Sequence, residues 1–167
     1  MTAVPSPAAF GPEAFRTAMR APASSVVIVA TGAGDRRAGC TVTAICSLSD
    51  SPPALLVCLN RKSSALTEII GNARFSASYL EDGQSRIAEI FAGRTGQRGS
   101  DRFGADWVQS PHGVPILQGA AAIFECELTE TREFGSHMIL IGRILDGAAQ
   151  QEKRPLVYCQ GDYNRLA

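Results

Sequence analysis

Residues 38–60 read AGCTVTAICSLSDSPPALLVCLN and carry the clearest strand signals in the chain. Its first half, residues 38–49, is rich in β-branched and hydroxyl side chains and predicts one strand. Pro52 and Pro53 then exclude a helix and allow another strand to begin, which we place at residues 54–59. Strands that follow each other without a regular helix between them indicate antiparallel pairing.

Outward from this stretch, the same strand signals recur on both sides. In residues 124–129, Phe124, Cys126 and Leu128 alternate with polar residues that face the other way. Short helices are predicted over residues 12–20, 65–70 and 84–91, and residues 92–119 are irregular, which often marks a functional loop. The remaining predicted strands cover residues 24–31, 74–80, 137–145 and 155–160. The pattern predicts a mainly β protein, an antiparallel barrel with short helices.

The composition suits a single globular domain. The chain has 167 residues, 45% of them apolar, and its 16 Lys plus Arg balance 16 Asp plus Glu. We therefore expect one domain over residues 1–167, with an irregular N-terminal segment over residues 1–12. Zero net charge provides no global field for nucleic acid or an anionic membrane, so we expect neither partner. No apolar run is long enough for a membrane span, and no secretory signal is visible.

The cysteines and histidines indicate no metal site. Five scattered cysteines without a C-x-x-C pair are typical of reduced thiols, so we expect a cytoplasmic protein. His112 and His137 are the only histidines, and neither has the spacing of a zinc ligand. The sequence also lacks a G-x-S-x-G motif, which disfavours a hydrolase. The cysteines are Cys40, Cys46, Cys58, Cys126 and Cys159.

A glycine pair after the first strand resembles the start of a dinucleotide-binding turn. Gly32 and Gly34 follow residues 24–31, but Arg37 occupies the third glycine position. The residues beyond it are β-branched and do not form a helix that could receive a pyrophosphate. We therefore interpret this segment as a hairpin turn built on Gly34 and Asp35.

Residues 58–70, CLNRKSSALTEII, have the composition of an anion site. A strand ends there in a polar turn and then enters a helix. Free N–H groups at the helix start, two serine hydroxyls and the Arg61 guanidinium can converge on one phosphate. The alternative is an exposed turn in which Ser63 or Ser64 caps the helix.

The strand over residues 39–49 carries four hydroxyl side chains among apolar ones. Buried hydroxyl groups need partners, so a flat heteroaromatic ligand edged with carbonyl and N–H groups would suit this surface. The alternative is that threonine is simply an ordinary strand residue here.

These segments occur in the same order in a known family. In this chain they are GCTVTAICSLSDSPPALLVCLNRKSS, RFSASYL, DRFGADW, GSHMILIGRI and PLVYCQGDYNRL. Over about residues 13–166 the sequence resembles the flavin reductase-like family, which includes reductase components of two-component flavin monooxygenases. The resemblance implies a split β-barrel of the FMN-binding type, a homodimer, bound FMN or FAD, and hydride transfer from NADH or NADPH.

The resemblance also implies roles for individual residues. His137 would lie beside the nicotinamide as the catalytic residue. The ring of the flavin would lie along Thr41, Val42, Thr43, Ala44, Cys46, Ser47 and Ser49. Its ribityl and phosphate groups would contact Cys58, Leu59, Asn60, Arg61, Ser63 and Ser64. Further cofactor contacts would come from Ala77, Ser78, Arg102, Phe103, Tyr158, Tyr163 and Arg165.

One departure from the family pattern bears on the cofactor. Ser78 stands where the family typically has Asn, and a hydroxyl cannot make the two-ended contact of an amide. Three functions therefore remain open. They are a reductase that supplies reduced flavin to a partner monooxygenase, a protein with tightly bound FMN that reduces another acceptor such as a corrinoid cobalt centre, and a non-catalytic flavin-binding module.

Overall fold

A computed structural model describes residues 10–166 of the chain. Within these residues, three short helices accompany twelve strands, so the described part of the chain is mainly β. The helices are α1 (Pro12–Ala18), α2 (Ser64–Asn72) and α3 (Ser85–Phe91). The strands are β1 (Ser24–Ser25), β2 (Val27–Thr31), β3 (Ala38–Val42), β4 (Ile45–Asp50), β5 (Pro53–Asn60), β6 (Arg74–Tyr79), β7 (Trp107–Gln109), β8 (Pro115–Leu117), β9 (Ala122–Phe134), β10 (His137–Ala149), β11 (Val157–Cys159) and β12 (Asp162–Asn164).

Seven strands form the main sheet, in the order β3-β2-β6-β9-β10-β5-β4. Every pairing in it is antiparallel, as the sequence predicts. A small sheet, β1-β11-β12, and a hairpin, β7-β8, complete the described strands. The predicted irregular segment falls mostly on residues outside the described range, and α1 begins at Pro12 as expected.

The prediction of one continuous strand over residues 38–49 is wrong. The strand stops at Val42, and β4 starts at Ile45 on the opposite edge of the main sheet. Only Thr43 and Ala44 join the two edges, so the Cα atoms of Val42 and Ile45 are at most about 11 Å apart. The sheet must therefore curl until its first and last strands meet at this corner. Local composition does not reveal such a break, because the residues on both sides suit a strand.

The two faces of β2 contact separate parts of the core. Val27 and Val29 belong to a cluster that includes Phe75 and Leu140, and this cluster fills one side of the sheet. Ile28 and its neighbours on the other face contact a second cluster, which contains Phe91, Phe103 and Trp107. All five residues of β2 are buried, which explains the apolar run formed by its first four residues.

Residues 92–119 contain more structure than predicted. A 3₁₀ turn covers Gly99–Arg102, and the β7-β8 hairpin packs over β2 and β6. The hairpin covers the face of β9 that carries Glu125, which is therefore only 6% exposed. The Ser110 hydroxyl donates to the Glu125 carboxylate at 2.5 Å. The alternation predicted for β9 is right, but its polar face is partly buried.

The turns follow the predicted chemistry. β2 and β3 form a hairpin, and its connection contains the 3₁₀ turn Gly34–Arg36 in place of a helix. Gly32 in this connection has a φ of +82°, a conformation that favours glycine. The longest of the described helices has nine residues, and none of them is long and apolar enough to span a membrane.

Candidate functional site

A cleft of about 260 Å³ opens where β3 leaves the sheet and β5 turns into α2. We call it the corner cleft. Nine of its ten lining residues are among those predicted from the sequence, and Cys40 is the addition. The lining residues are Cys40, Thr41, Val42, Thr43, Ala44, Cys58, Leu59, Asn60, Ser63 and His137.

One wall of the corner cleft is the break between β3 and β4. Thr43 and Ala44 are exposed and belong to neither strand, so their backbone groups are not part of a strand ladder. The Ala44 carbonyl accepts a hydrogen bond from the Cys58 N–H at 2.9 Å, which ties this wall to β5. The Thr41 hydroxyl donates to the Ala88 carbonyl at 2.6 Å and so anchors β3 to α3.

The opposite corner is a polar turn that is already ordered. The Asn60 side-chain oxygen accepts from the Lys62 N–H at 2.9 Å, and the Asn60 carbonyl accepts from the Ser63 N–H at 2.9 Å. Ser63 precedes the first residue of α2, but its hydroxyl makes no capping hydrogen bond to that helix. The capping alternative for Ser63 is therefore wrong, and the hydroxyl stays at the cleft.

Arg61 points away from the corner cleft. Its guanidinium forms an ion pair with Glu133 at 2.5 Å, and the backbone N–H of Arg61 donates to the Ser136 carbonyl at 3.0 Å. Arg61 lines a neighbouring depression of about 460 Å³ with Asn60, Lys62 and Ser136. Of the predicted phosphate ligands, Asn60 and Ser63 thus line the corner cleft, whereas Arg61 and Ser64 do not.

His137 contributes to the lining of the cleft from β10. It is the first residue of β10 and stands opposite Asn60 in the β10-β5 register. Its Nδ1 lies 2.9 Å from the Ser136 hydroxyl, which orients the ring while the side chain stays exposed. His137 is therefore placed to contact a ligand that enters the cleft from solvent.

Two thiols give the cleft a neutral wall. Burial raises the pKa of Cys40 to about 11, although the Ser63 hydroxyl and the Arg102 charge act in the opposite direction. Burial also raises the pKa of Cys58, and the neighbouring Cys46 adds to this shift. Both thiols are protonated at neutral pH, so they offer weakly polar contact and no thiolate nucleophile.

Five further predicted contacts, on β6 and β4, also lie outside the corner cleft. Ala77 and Ser78 are fully buried in β6, where the Ser78 hydroxyl accepts from the Leu117 N–H at 3.4 Å. The structure therefore uses Ser78 to hold the β7-β8 hairpin. The other three are exposed on the edge strand β4. They are Cys46, Ser47 and Ser49.

Arg102 and Phe103 support the cleft from behind. The Arg102 guanidinium donates to the Gly39 carbonyl in β3 at 3.2 Å. Phe103 is buried and contacts Phe91 and Trp107, with ring centroids 4.9 Å from each. These two residues hold β3 and α3 in place and do not line the cleft.

Three predicted cofactor contacts near the C-terminus lie across β3 from the corner cleft. They are Tyr158, Tyr163 and Arg165. A second cleft of about 200 Å³ shares the wall formed by residues 41–43 and contains Tyr158 and Tyr163. We call it the tyrosine cleft. Arg94 and Ala92 complete its lining. Arg165 lines a groove of about 380 Å³ that also touches Tyr163.

Three lining residues were not predicted from the sequence: Cys40, Ala92 and Arg94. Cys40 directly precedes the predicted TVTA segment, so its strand position was a usable signal. Arg94 lies in the irregular segment, where no local pattern fixes a position. Among residues 10–166, no group of three or more His, Cys, Asp or Glu side chains is arranged to hold a metal ion.

Comparison with known proteins places the chain among flavin enzymes. The family profile described as "Flavin reductase like domain" matches residues 19–167. FMN reductase (NADH) RutF of Ancylobacter novellus is 37% identical over 156 residues, which cover 93% of this chain and 85% of that protein. The 4-hydroxyphenylacetate 3-monooxygenase reductase component of Salmonella typhi is 37% identical over 145 residues, with 86% and 85% covered.

A solved structure agrees with this assignment. The NADH:FAD oxidoreductase SgcE6 of Streptomyces globisporus C-1027, in complex with NAD and FAD fragments, superposes with a TM-score of 0.88. It is 26% identical, and the match covers 99% of this chain and 98% of that one.

Proposed function

Because the chain belongs to the flavin reductase-like family, we propose that it is an NADH-dependent flavin reductase that binds its flavin in the corner cleft. The observation that carries this proposal is the corner cleft itself. It brings together the break after β3, the polar turn before α2 and His137, which lie far apart in the sequence. Relatives named as FMN reductases that use NADH support FMN and NADH as the cofactors.

The donor set of the corner cleft fits a flavin. No Asp or Glu is among its described lining residues, so no carboxylate repels a phosphate there. The exposed backbone of Thr43 and Ala44 can pair with the polar edge of a flat ring, and the neutral thiols suit its apolar part. Ser63 and the start of α2 can donate to a phosphate.

The catalytic work of the chain is positioning. A bound flavin supplies the redox chemistry, since it accepts hydride from a reduced nicotinamide. Thr43 and Ala44 hold the ring edge, Asn60 and Ser63 hold the ribityl and phosphate end, and His137 orients the nicotinamide. Such positioning can lower a barrier by about 7–11 kcal/mol without an acid or a base. The neutral cleft therefore needs no catalytic dyad.

Several finer features belong to the same proposal. We infer that reduced flavin passes to a partner monooxygenase, because a relative is named as the reductase component of such a system. We also infer that the chain forms one domain, a split β-barrel, and that two copies work as a homodimer. FAD in place of FMN and NADPH in place of NADH are the alternative cofactors. Free thiols at all five described cysteines support a cytoplasmic location.

The test is flavin-dependent oxidation of NADH. Purified protein stripped of flavin is mixed with NADH, and absorbance at the nicotinamide band is followed before and after FMN is added. We expect oxidation only after the addition, with reduced flavin found free in solution after filtration. Absence of oxidation with both FMN and FAD would overturn the proposal.

A further inference from the structure

The tyrosine cleft has the composition of a nucleobase site. Its wall of residues 41–43 is also a wall of the corner cleft, so a single strand separates the two. Neighbouring strands lie about 5 Å apart, so a single strand between the two clefts separates them by only a short distance. A ligand long enough to cross it can occupy both clefts.

Two tyrosines form the base of this cleft. Tyr158 and Tyr163 stand opposite each other in the β11-β12 register, with ring centroids 5.5 Å apart and ring planes at 64°. Tyr158 also pairs with Ser24 of β1, so strands on both sides fix its position. Burial raises the pKa of Tyr163, so its hydroxyl remains a neutral donor at physiological pH. The pair is a rigid aromatic surface with two polar ends.

Arg94 faces this surface. Its guanidinium carbon lies 5.9 Å from the centre of the Tyr163 ring. Within residues 10–166, Arg94 takes part in none of the four ion pairs, and its side chain is exposed. An aromatic ring inserted between Arg94 and Tyr163 needs two stacking layers, about 7 Å in total. The exposed guanidinium would have to move by only about 1 Å to admit it.

We propose that the tyrosine cleft binds the adenosine 5′-phosphate part of a dinucleotide whose other half lies in the corner cleft. Tyr163 and Arg94 sandwich the adenine, since every base has a face that stacks on tyrosine and on a guanidinium plane. Arg94 also offers its N–H groups to the adjoining phosphate. The inference rests on the proposed function, because the corner cleft must hold the reacting half.

Two dinucleotides carry this chemistry, FAD and NADH, and the experiment separates them. The variants are Tyr163→Leu, which removes the stacking ring, and Arg94→Gln, which removes the charge. The controls are Tyr163→Phe, which keeps the ring, and Arg98→Gln, which makes the same charge change in the same exposed segment. Dissociation constants for FAD and FMN come from flavin fluorescence, and KM values are measured for NADH and reduced nicotinamide mononucleotide.

If the adenylate belongs to FAD, both variants raise the dissociation constant for FAD about tenfold and leave that for FMN unchanged. If the adenylate belongs to NADH, both variants raise KM for NADH and leave KM for reduced nicotinamide mononucleotide unchanged. The controls stay within twofold of the wild type. The inference is overturned if, in both variants, the dissociation constant for FAD changes no more than that for FMN, and KM for NADH changes no more than KM for the mononucleotide.

FMN binding and turnover with reduced nicotinamide mononucleotide involve no adenosine, so they report on the corner cleft alone. Arg94 is exposed, and its replacement does not disturb the core. Arg94→Gln therefore decides the question even if Tyr163→Leu does not fold.

Discussion

The guanidinium of Arg61 lies 2.5 Å from the carboxylate of Glu133, on the β9-β10 hairpin and outside the corner cleft. The same guanidinium donates to the Gly135 carbonyl at 3.4 Å. A flavin phosphate would therefore have to compete with this hairpin for the one arginine in the turn. Both side chains are about half exposed, so the ion pair is weak and exchangeable.

This competition predicts that substitutions of Arg61 and of Glu133 have opposite effects on FMN binding. Arg61→Ala should weaken FMN binding by about 1.5–3 kcal/mol, the value of a charge-assisted hydrogen bond. Glu133→Gln should strengthen FMN binding, because it frees Arg61. Riboflavin, which has no phosphate, is the control ligand and should bind all variants equally in fluorescence titrations. Unchanged FMN affinity in Arg61→Ala would limit this residue to holding the hairpin.

The role of His137 is tested by comparing NADH kinetics with FMN affinity in one variant. We expect His137→Ala to raise KM for NADH about fivefold, the effect of one lost hydrogen bond of about 1 kcal/mol. FMN affinity should change less than twofold, because His137 is exposed and the other nine lining residues of the cleft are unchanged. Steady-state kinetics at saturating FMN measure the first value, and fluorescence titration measures the second. A variant with wild-type NADH kinetics would give His137 a purely structural role.

Stability should fall in alkaline solution. Burial raises the pKa of Cys126 to about 12, with a contribution from Glu125, and burial raises the pKa of Cys40 to about 11. The ordinary value for both thiols is 9.0. Below pH 9 both thiols are protonated whether the chain is folded or unfolded. Above it the unfolded thiols ionise first, so each group removes up to about 1.4 kcal/mol of stability per pH unit.

The Cys126→Ala variant tests this linkage. Its free energy of unfolding in urea should be lower at pH 7, because a small cavity replaces the sulfur. Between pH 9 and pH 11 it should fall less steeply than that of the wild type. Parallel slopes for the two proteins would show that the Cys126 thiol does not hold its proton more tightly in the folded state.

Gly142 has no room for a side chain. A Cβ atom at this position in β10 would collide with the Phe75 ring and come within 2.9 Å of the Cys126 Cβ. We expect Gly142→Ala to cost about 1–3 kcal/mol, the usual effect of overpacking a core. Gly104→Ala is the matched control, because nothing lies within 4 Å of its Cβ position. Thermal unfolding should separate the two variants by about 2–12 °C.

The strands and short helices could be predicted because local patterns decide them. β5, β6 and α3 agree with prediction to within one residue at each end, since prolines, alternation or an apolar helical face define each one. The corner cleft was also largely predictable, because most of it comes from two stretches, 41–44 and 58–63. Their chemistry, a polar turn and a hydroxyl-rich strand, is visible in the sequence.

Long-range contacts account for what was missed. The break after Val42 depends on how the whole sheet curls, and nothing local marks it. Ser78 is in the core because Leu117, in a distant hairpin, donates to it. Arg61 leaves the cleft because Glu133 reaches it from another hairpin. In each case the deciding partner is remote in sequence, so neither propensity nor spacing could identify it.

The short crossing made by Thr43 and Ala44 also couples occupancy to rigidity. A ligand bound against these residues contacts the short connection between β3 and β4, the two edge strands of the main sheet. Its binding energy therefore adds to the cost of local opening at that connection. Amide hydrogen exchange should slow in β3 and β4 together when flavin is present, although these strands are the two outermost of the sheet.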